Sequence, residues 1–335
     1  MKTLPSVKDL SAANKTVLLR TNYDVPLKDG QIVDTSRIDE SLPTINYLLD
    51  QQARVILLSH LGRPEGKINP SLSLKPVAQY LSQLLQKEIP LFAKTEEVDK
   101  TQSIVMLENL RFWPGEEAND LNFTQSLASL GDFFVNDAFA CSHRQHASIV
   151  GLPKLLPSSF GFDFLKEVKV LSEIKEKPRR PVTLILGGVK EDKLEVIEKL
   201  LNWADKILIG GKLPQLVGKS YPEKVVMAQL NPQGKDITLE SIDQFKEIIN
   251  LSGTILWAGP MGVFEEIENE EGTKQIAQAI LTSQAFKVVG GGDTEAALTK
   301  FNLEAKIDYL SSGGGAMFEF LAKGTLPGIE AIEQK

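Results

Sequence analysis

At 335 residues the chain exceeds one ordinary domain and suits two, since domains usually run to roughly 100–200 residues. Hydrophobic residues at 42% and charged residues at 24% are globular values, which excludes a disordered, collagenous or coiled-coil chain. A balance of 37 Lys+Arg against 44 Asp+Glu, net charge −7, argues against a general phosphate-backbone binder such as a nucleic-acid protein, while leaving small anions open to local basic patches.

Taken in chain order, short apolar, β-branched runs predict strands at Thr16–Asn22, Arg54–Ser59, Ile104–Glu108, Asp132–Asn136, Val182–Leu186, Lys206–Ile209, Thr254–Trp257, Phe286–Val289 and Ile307–Leu310. Helical spacing falls between them, at Leu74–Leu85, Lys193–Trp203, Leu239–Ile249, Thr273–Leu281 and Thr294–Phe301. Alternation throughout implies an α/β protein, its mostly parallel sheets carrying helices on both faces. The stretch Phe162–Lys177, after Pro153 and Pro157 and stopped by Pro178, predicts a helix bridging the halves. In open parallel sheets ligands bind beyond the carboxyl ends of the strands. Polar residues gather there: Asn22 and Asp24, His60 and Arg63, Asn109 and Arg111, Asn136 and Asp137, Lys190, and Asp293.

The single cysteine, Cys141, can form no internal disulfide, and the N-terminus carries no apolar signal region. The expected setting is therefore cytoplasmic, with no membrane partner. Residue types are unevenly spread. All arginines fall between Arg20 and Arg180, and His60, His143 and His146 lie in the first half. The clusters Gly187-Gly188, Gly210-Gly211, Gly290 to Gly292 and Gly313 to Gly315 lie in the second half. Guanidinium forks suit carboxylate or phosphate, and glycine turns suit a polyphosphate approached by backbone N–H groups. The plainer alternative is scattered surface charge and glycines that merely end strands.

Two nucleotide signatures fail. Gly218-Lys219-Ser220 resembles the end of a Walker A loop, but Leu213 stands where that loop needs glycine. Gly290-Gly291-Gly292 begins like a dinucleotide fingerprint, but Glu295 stands where a small residue belongs.

A set of segments in order does match a family: Asp24-Val-Pro-Leu27, Ser59-His-Leu-Gly-Arg-Pro64, Glu108-Asn-Leu-Arg-Phe112, Pro114-Gly-Glu-Glu117, Val135-Asn-Asp-Ala-Phe139, His143-Arg144 and His146-Ala-Ser148. They continue with Gly259-Pro-Met-Gly-Val-Phe-Glu265, Gly290-Gly-Gly-Asp-Thr294, Gly313-Gly-Gly315 and Leu326-Pro-Gly328. Together these closely resemble phosphoglycerate kinase, from about Val17 to Ile332. The resemblance implies two Rossmann-like lobes that close on each other, joined by a helix and hinge. The expected limits are 1–155 plus about 317–335 for a phosphoglycerate lobe, 156–178 for the connecting helix and 179–316 for a nucleotide lobe.

It also implies roles. Asn22, Asp24, Arg37, His60, Arg63, Arg111 and Arg144 would bind 3-phosphoglycerate, with Arg37 reaching the transferring phosphoryl group. Lys190, Lys193, Gly210, Gly211, Pro260, Glu265, Gly291, Gly292, Asp293 and Thr294 would hold ATP or ADP, with Asp293 contacting Mg²⁺. Lys190, Gly314 and Gly315 would serve phosphoryl transfer alongside Arg37. The partners implied are small molecules only, and the state a monomer. For Asp293 the plainer reading is helix capping, and for His143 and His146 packing beside the pocket.

Departures from the family fall at working positions. Its Asp-x-Asn before Val-Pro is reversed as Asn22-x-Asp24, which moves a negative charge by about 6.6 Å along an extended chain. Lys190 and Lys193 are spaced i, i+3 rather than i, i+4, and Ala258 replaces an asparagine. Between Gly211 and Thr254 the chain is several dozen residues shorter than usual, which implies a reduced adenine pocket. These departures keep open a non-catalytic phosphoglycerate binder, or a kinase with relaxed nucleotide or carboxylate specificity.

Overall fold

The structure, a computed structural model, describes residues 3–99, 101–189, 192–303 and 306–334. The chain divides into two compact units, Met1–Lys169 with Thr325–Lys335, and Val170–Gly324. The helix expected at Phe162–Lys177 is present as Phe162–Glu176.

The first unit holds β1 (Thr16–Arg20), the hairpin β2 (Leu27–Lys28) and β3 (Gln31–Ile32), β4 (Arg54–Leu58), β5 (Leu91–Phe92), β6 (Ile104–Leu107), β7 (Phe133–Asn136) and β8 (Ser158–Phe160). Apart from the hairpin these strands form one sheet in the order β5-β6-β4-β1-β7-β8, parallel throughout. Central strands read as continuous apolar runs because helices cover both faces: Val17, Leu18 and Leu19 on β1 and Val55 to Leu58 on β4 are fully buried. Leu18 pairs with Ile56 on one side and Phe134 on the other. The helix Lys75–Leu85 buries Val77, Ala78 and Leu81 along one face, carries Pro76 in its first turn and stops at Gln86 in a left-handed conformation.

The second unit holds β9 (Val182–Leu186), β10 (Lys206–Ile209), β11 (Val225–Met227), β12 (Thr254–Ala258), β13 (Phe286–Gly290) and β14 (Tyr309–Ser311). Their order is β11-β10-β9-β12-β13-β14, again all parallel. The chain reverses its direction of winding between β9 and β12, and this topological switch point is where such sheets bind ligands. Ile185, Leu208, Ile255, Trp257 and Val289 from the strands pack with Phe245, Ile249, Ile276 and Ile280 from the helices Leu239–Asn250 and Glu271–Thr282. The helix Gly314–Lys323 buries Met317, Phe318 and Phe320 and stays with this unit.

The connection from β10 to the helix Leu239–Asn250 covers residues 210–238. It comprises the four-residue helix Leu213–Leu216, the edge strand β11 and an antiparallel bridge between Leu230 and Ile237. Asp236 fixes it. Its Oδ1 accepts from the Ile237 N–H at 2.9 Å, and its Oδ2 accepts from the Gly272 N–H at 2.8 Å, at the start of the helix Glu271–Thr282.

Candidate active site

In the first unit the loops after β4, β6 and β7 bring His60, Arg111 and Arg144 together. Asn22 is buried and its Nδ2 has no hydrogen-bond partner. The half-exposed Asp24 accepts from the Gly62 N–H through Oδ1 at 2.8 Å, while its Oδ2 lies 4.0 Å from His60 Nε2. Arg37, on the short helix Ser36–Asp39, donates from Nη1 to the Asp24 carbonyl at 2.5 Å. Arg111 is buried, donates from Nη1 to the Gly62 carbonyl at 2.8 Å, and has Nε 3.3 Å from Glu117 Oε1. Arg63 is exposed and Arg144 half-buried.

His60 is held well below its ordinary protonation range by burial first, then by Arg111, Arg20, Arg144 and His146. Burial and the same arginines push His146 down to about 3. The 3.8 Å approach of His146 Nδ1 to Glu116 is therefore not an ion pair at neutral pH. The result is a positively charged pocket whose cations are guanidinium groups rather than imidazolium.

Sequence reasoning left Arg20, Glu116 and Ser148 of this cluster without roles. Arg20, on β1, is wholly buried; its Nε donates to Ser148 Oγ at 2.8 Å, and its Nη2 donates to His60 Nδ1 at 3.1 Å. Glu116, also wholly buried, accepts from the Ser148 hydroxyl at 2.6 Å and the Ser148 N–H at 3.0 Å, and lies 3.9 Å from Arg20 Nη2. The available signal was a charged residue ending an otherwise apolar strand.

In the second unit, glycine turns converge at the carboxyl ends of β9, β10, β12 and β13. The Gly187 N–H donates to the Ala258 carbonyl at 3.0 Å, Gly188 N–H to the Pro260 carbonyl at 2.8 Å, and Gly211 N–H to the Met261 carbonyl at 3.1 Å. Gly211 has φ +60°, and a β-carbon there would fall 2.4 Å from the Gly188 nitrogen, so the position admits only glycine. Gly210 packs against the sulfur of Met261. Gly314 is buried where a β-carbon would fall 2.7 Å from the Gly290 carbonyl oxygen and 2.8 Å from the Ala258 β-carbon. Alanine at position 258 thus lies directly against the start of the helix Gly314–Lys323.

The helix Gly292–Phe301 begins beyond Gly291, at φ +99°, with Gly292 and Asp293 exposed. Thr294 is buried, and its Oγ1 accepts from the Gly259 N–H at 2.7 Å. Its hydroxyl thus ties the Gly259-Pro260-Met261 turn to that helix. Glu265 and Gly315 are exposed. Lys190 lies outside the described residues; Lys193 lies on the helix Asp192–Leu200.

This is an α/β protein with guanidinium groups in one unit and glycine turns and a helix start at a switch point in the other, an arrangement that suits small anionic ligands. Comparison with known proteins narrows the class. The family model described as phosphoglycerate kinase matches residues 7–226 and 215–324. Phosphoglycerate kinase of Finegoldia magna is 40% identical over 98% of this chain and 99% of its own length, and that of Borreliella afzelii 38% identical over 99% and 100%. The structure of phosphoglycerate kinase from Coxiella burnetii superposes with TM-score 0.77 at 32% identity, covering 99% of each chain. The chain belongs to the phosphoglycerate kinase family. The alignment with the Finegoldia protein extends over 391 residues against 335 here, and the family match falls in two segments that overlap at 215–226, between β10 and the helix Leu239–Asn250.

Proposed function

We propose that this chain catalyses reversible transfer of the ATP γ-phosphoryl group to the carboxylate of 3-phosphoglycerate, giving ADP and 1,3-bisphosphoglycerate. The observation that carries the reading is the gathering of Arg20, Arg111 and Arg144 about a neutral His60 that faces Asp24, in a chain that matches a family member over 98% of its length. The first unit takes phosphoglycerate and the second takes the nucleotide.

The attacking carboxylate is ionised at neutral pH, so no general base is needed. Arg37, Arg63, Arg111 and Arg144 bind and orient the anionic substrate, and positive charge offsets the negative charge of the transferring group. In the second unit the N–H groups at the start of the helix Gly292–Phe301 face the phosphates, with Lys190, Lys193 and Glu265 completing the nucleotide contacts.

Among the described residues no group of three acidic, histidine or cysteine side chains is placed to hold a metal. Asp293, exposed at a helix start, offers a single carboxylate. That suits Mg²⁺, which commonly takes one or two carboxylates together with substrate phosphates. Asp293 would hold it, and Mg²⁺ would neutralise phosphate charge. Among the described residues no helix is long and apolar enough to cross a membrane, and Cys141 is buried and free; a cytoplasmic monomer is the setting this reading takes.

The test is a coupled turnover assay with Mg²⁺, ATP and 3-phosphoglycerate on the parent chain, Arg37→Ala and Asp293→Ala. Turnover lost in both variants is the expected result. A parent chain that binds phosphoglycerate without turnover would instead make it a non-catalytic binder.

A further inference from the structure

Arg20, Ser148, Glu116 and His60 form one continuous buried chain of polar contacts. Each link has a forced direction. Arginine only donates, so the 3.1 Å contact between Arg20 Nη2 and His60 Nδ1 makes Nδ1 the acceptor. The neutral ring must then carry its hydrogen on Nε2, the nitrogen that faces Asp24 Oδ2 at 4.0 Å. The Ser148 hydroxyl accepts from Arg20 Nε at 2.8 Å, so it donates its own hydrogen to Glu116 Oε1 at 2.6 Å. Glu116 Oε2 accepts the Ser148 N–H at 3.0 Å, and its carboxylate faces the guanidinium at 3.9 Å. All four residues are buried, none more than 3% exposed, so water cannot substitute for a lost partner.

We propose that Glu116 is a positioning residue for the phosphoglycerate pocket: acting through Ser148, it holds the Arg20 guanidinium, which fixes His60 as the Nε2–H tautomer that presents a donor toward Asp24. The pocket is then built to meet an oxyanion or hydroxyl of the substrate with a neutral donor of fixed orientation, beside the cationic guanidinium groups of Arg111 and Arg144. The charged and titratable neighbours of His60 are Arg111, Arg20, Arg144, His146 and Asp24.

The argument predicts the consequence of Glu116→Gln. An amide has one acceptor oxygen where the carboxylate has two. In one orientation its NH₂ meets the Ser148 N–H. In the other its NH₂ donates to the Ser148 hydroxyl, whose hydrogen then loses its acceptor. Either way the serine no longer holds Arg20 in one geometry. Ser148→Ala removes only the relay, leaving Glu116 its bond from the N–H of residue 148.

The proposal rests on the phosphoglycerate reading of this pocket, so the test combines a spectrum independent of turnover with kinetics. The full chain has only three histidines. Long-range ¹H–¹⁵N correlation spectra therefore read each ring nitrogen, with His143→Gln and His146→Gln assigning the signals. In the parent chain the His60 Nδ1 signal should be that of an unprotonated acceptor and Nε2 that of an N–H, unchanged from pH 5 to 8. In Glu116→Gln both should move toward tautomer-averaged positions, and KM for 3-phosphoglycerate should rise about tenfold, the scale of one well-aligned hydrogen bond. KM for ATP should stay put, and Ser148→Ala should move the same signals less far. Parent-like His60 signals and KM in Glu116→Gln would overturn the proposal. Should that variant not fold, parent-like signals in Ser148→Ala would do the same. A parent chain with a fixed His60 tautomer but no turnover would count against the kinase reading and leave the positioning role standing.

Discussion

Asp137 Oδ1 accepts the backbone N–H of Phe164 at 3.0 Å, so the residue that follows β7 caps the start of the helix Phe162–Glu176. The approach is close: a β-carbon on Gly161 would fall 2.2 Å from Asp137 Cγ. Burial pushes the Asp137 carboxyl up to about 6. Its neighbour Asp163 is pushed up to about 9 by burial first and then by Glu40, Asp137 and Glu167.

Stability should therefore fall as pH rises. A carboxyl whose folded value lies above its unfolded one favours the folded state below the unfolded value, and that contribution is lost as pH rises through the folded value. The window opens near 3.8 and closes at about 6 for Asp137 and about 9 for Asp163. Asp163→Asn keeps the neutral shape, so it should flatten the decline and exceed the parent at pH 8, by roughly 1–3 kcal/mol. Denaturant unfolding of both chains at pH 5 and pH 8 checks this, and parallel pH dependences would refute it.

Thr294 should matter to nucleotide binding through the turn it ties down. In Thr294→Val the Gly259 N–H, now bonded at 2.7 Å, loses its acceptor inside the protein. An orphaned buried donor costs about 1–3 kcal/mol. Thermal unfolding should show that loss, and steady-state kinetics should show KM for ATP raised while KM for 3-phosphoglycerate is unchanged.

Asp24 places a negative charge in a basic pocket. In Asp24→Asn the amide oxygen can still accept the Gly62 N–H, so the loop should hold its shape while the charge disappears. KM for the anionic substrate should fall, on the order of threefold for a partly exposed charge a few ångströms away. A marked rise would mean that the carboxylate takes a substrate hydroxyl directly.

Base selectivity should be loose. Bases are told apart by groups packed about the ring, and the connection after β10 offers a four-residue helix and a three-residue edge strand. With ATP, GTP and UTP compared at fixed 3-phosphoglycerate, kcat/KM values should lie within about tenfold of one another, the scale of a small change in pocket contacts. Strict preference for ATP would show that this short connection still encloses adenine.

Most strands legible in the sequence were central ones, with the edge strand β14 as the exception. Val182–Leu186 and Lys206–Ile209 are found as expected, because strands covered on both faces must be apolar throughout. The edge strands β5, β8 and β11, of two or three residues each, were missed since a short, partly exposed strand has no such run. The helix Leu42–Asp50 was also missed, its boundaries carrying no side-chain cap. Of the site, Arg111, His60 and Asp24 were legible because they stand in motifs just beyond strand ends.

The sequence by itself determined the alternation of strand and helix, the division of arginine from glycine between the halves, and the family, because all three are written in local order. Only the tertiary structure decided what Arg20 and Glu116 do. Arg20 and Ser148 stand 128 residues apart, and Arg20 and His60 stand 40 apart. They meet because parallel pairing of β1 with β4 and β7 brings the carboxyl ends of distant strands to one edge of the sheet. A buried charge must find its partners in that shared interior, and which partners those are is set by strand order, which no local pattern encodes.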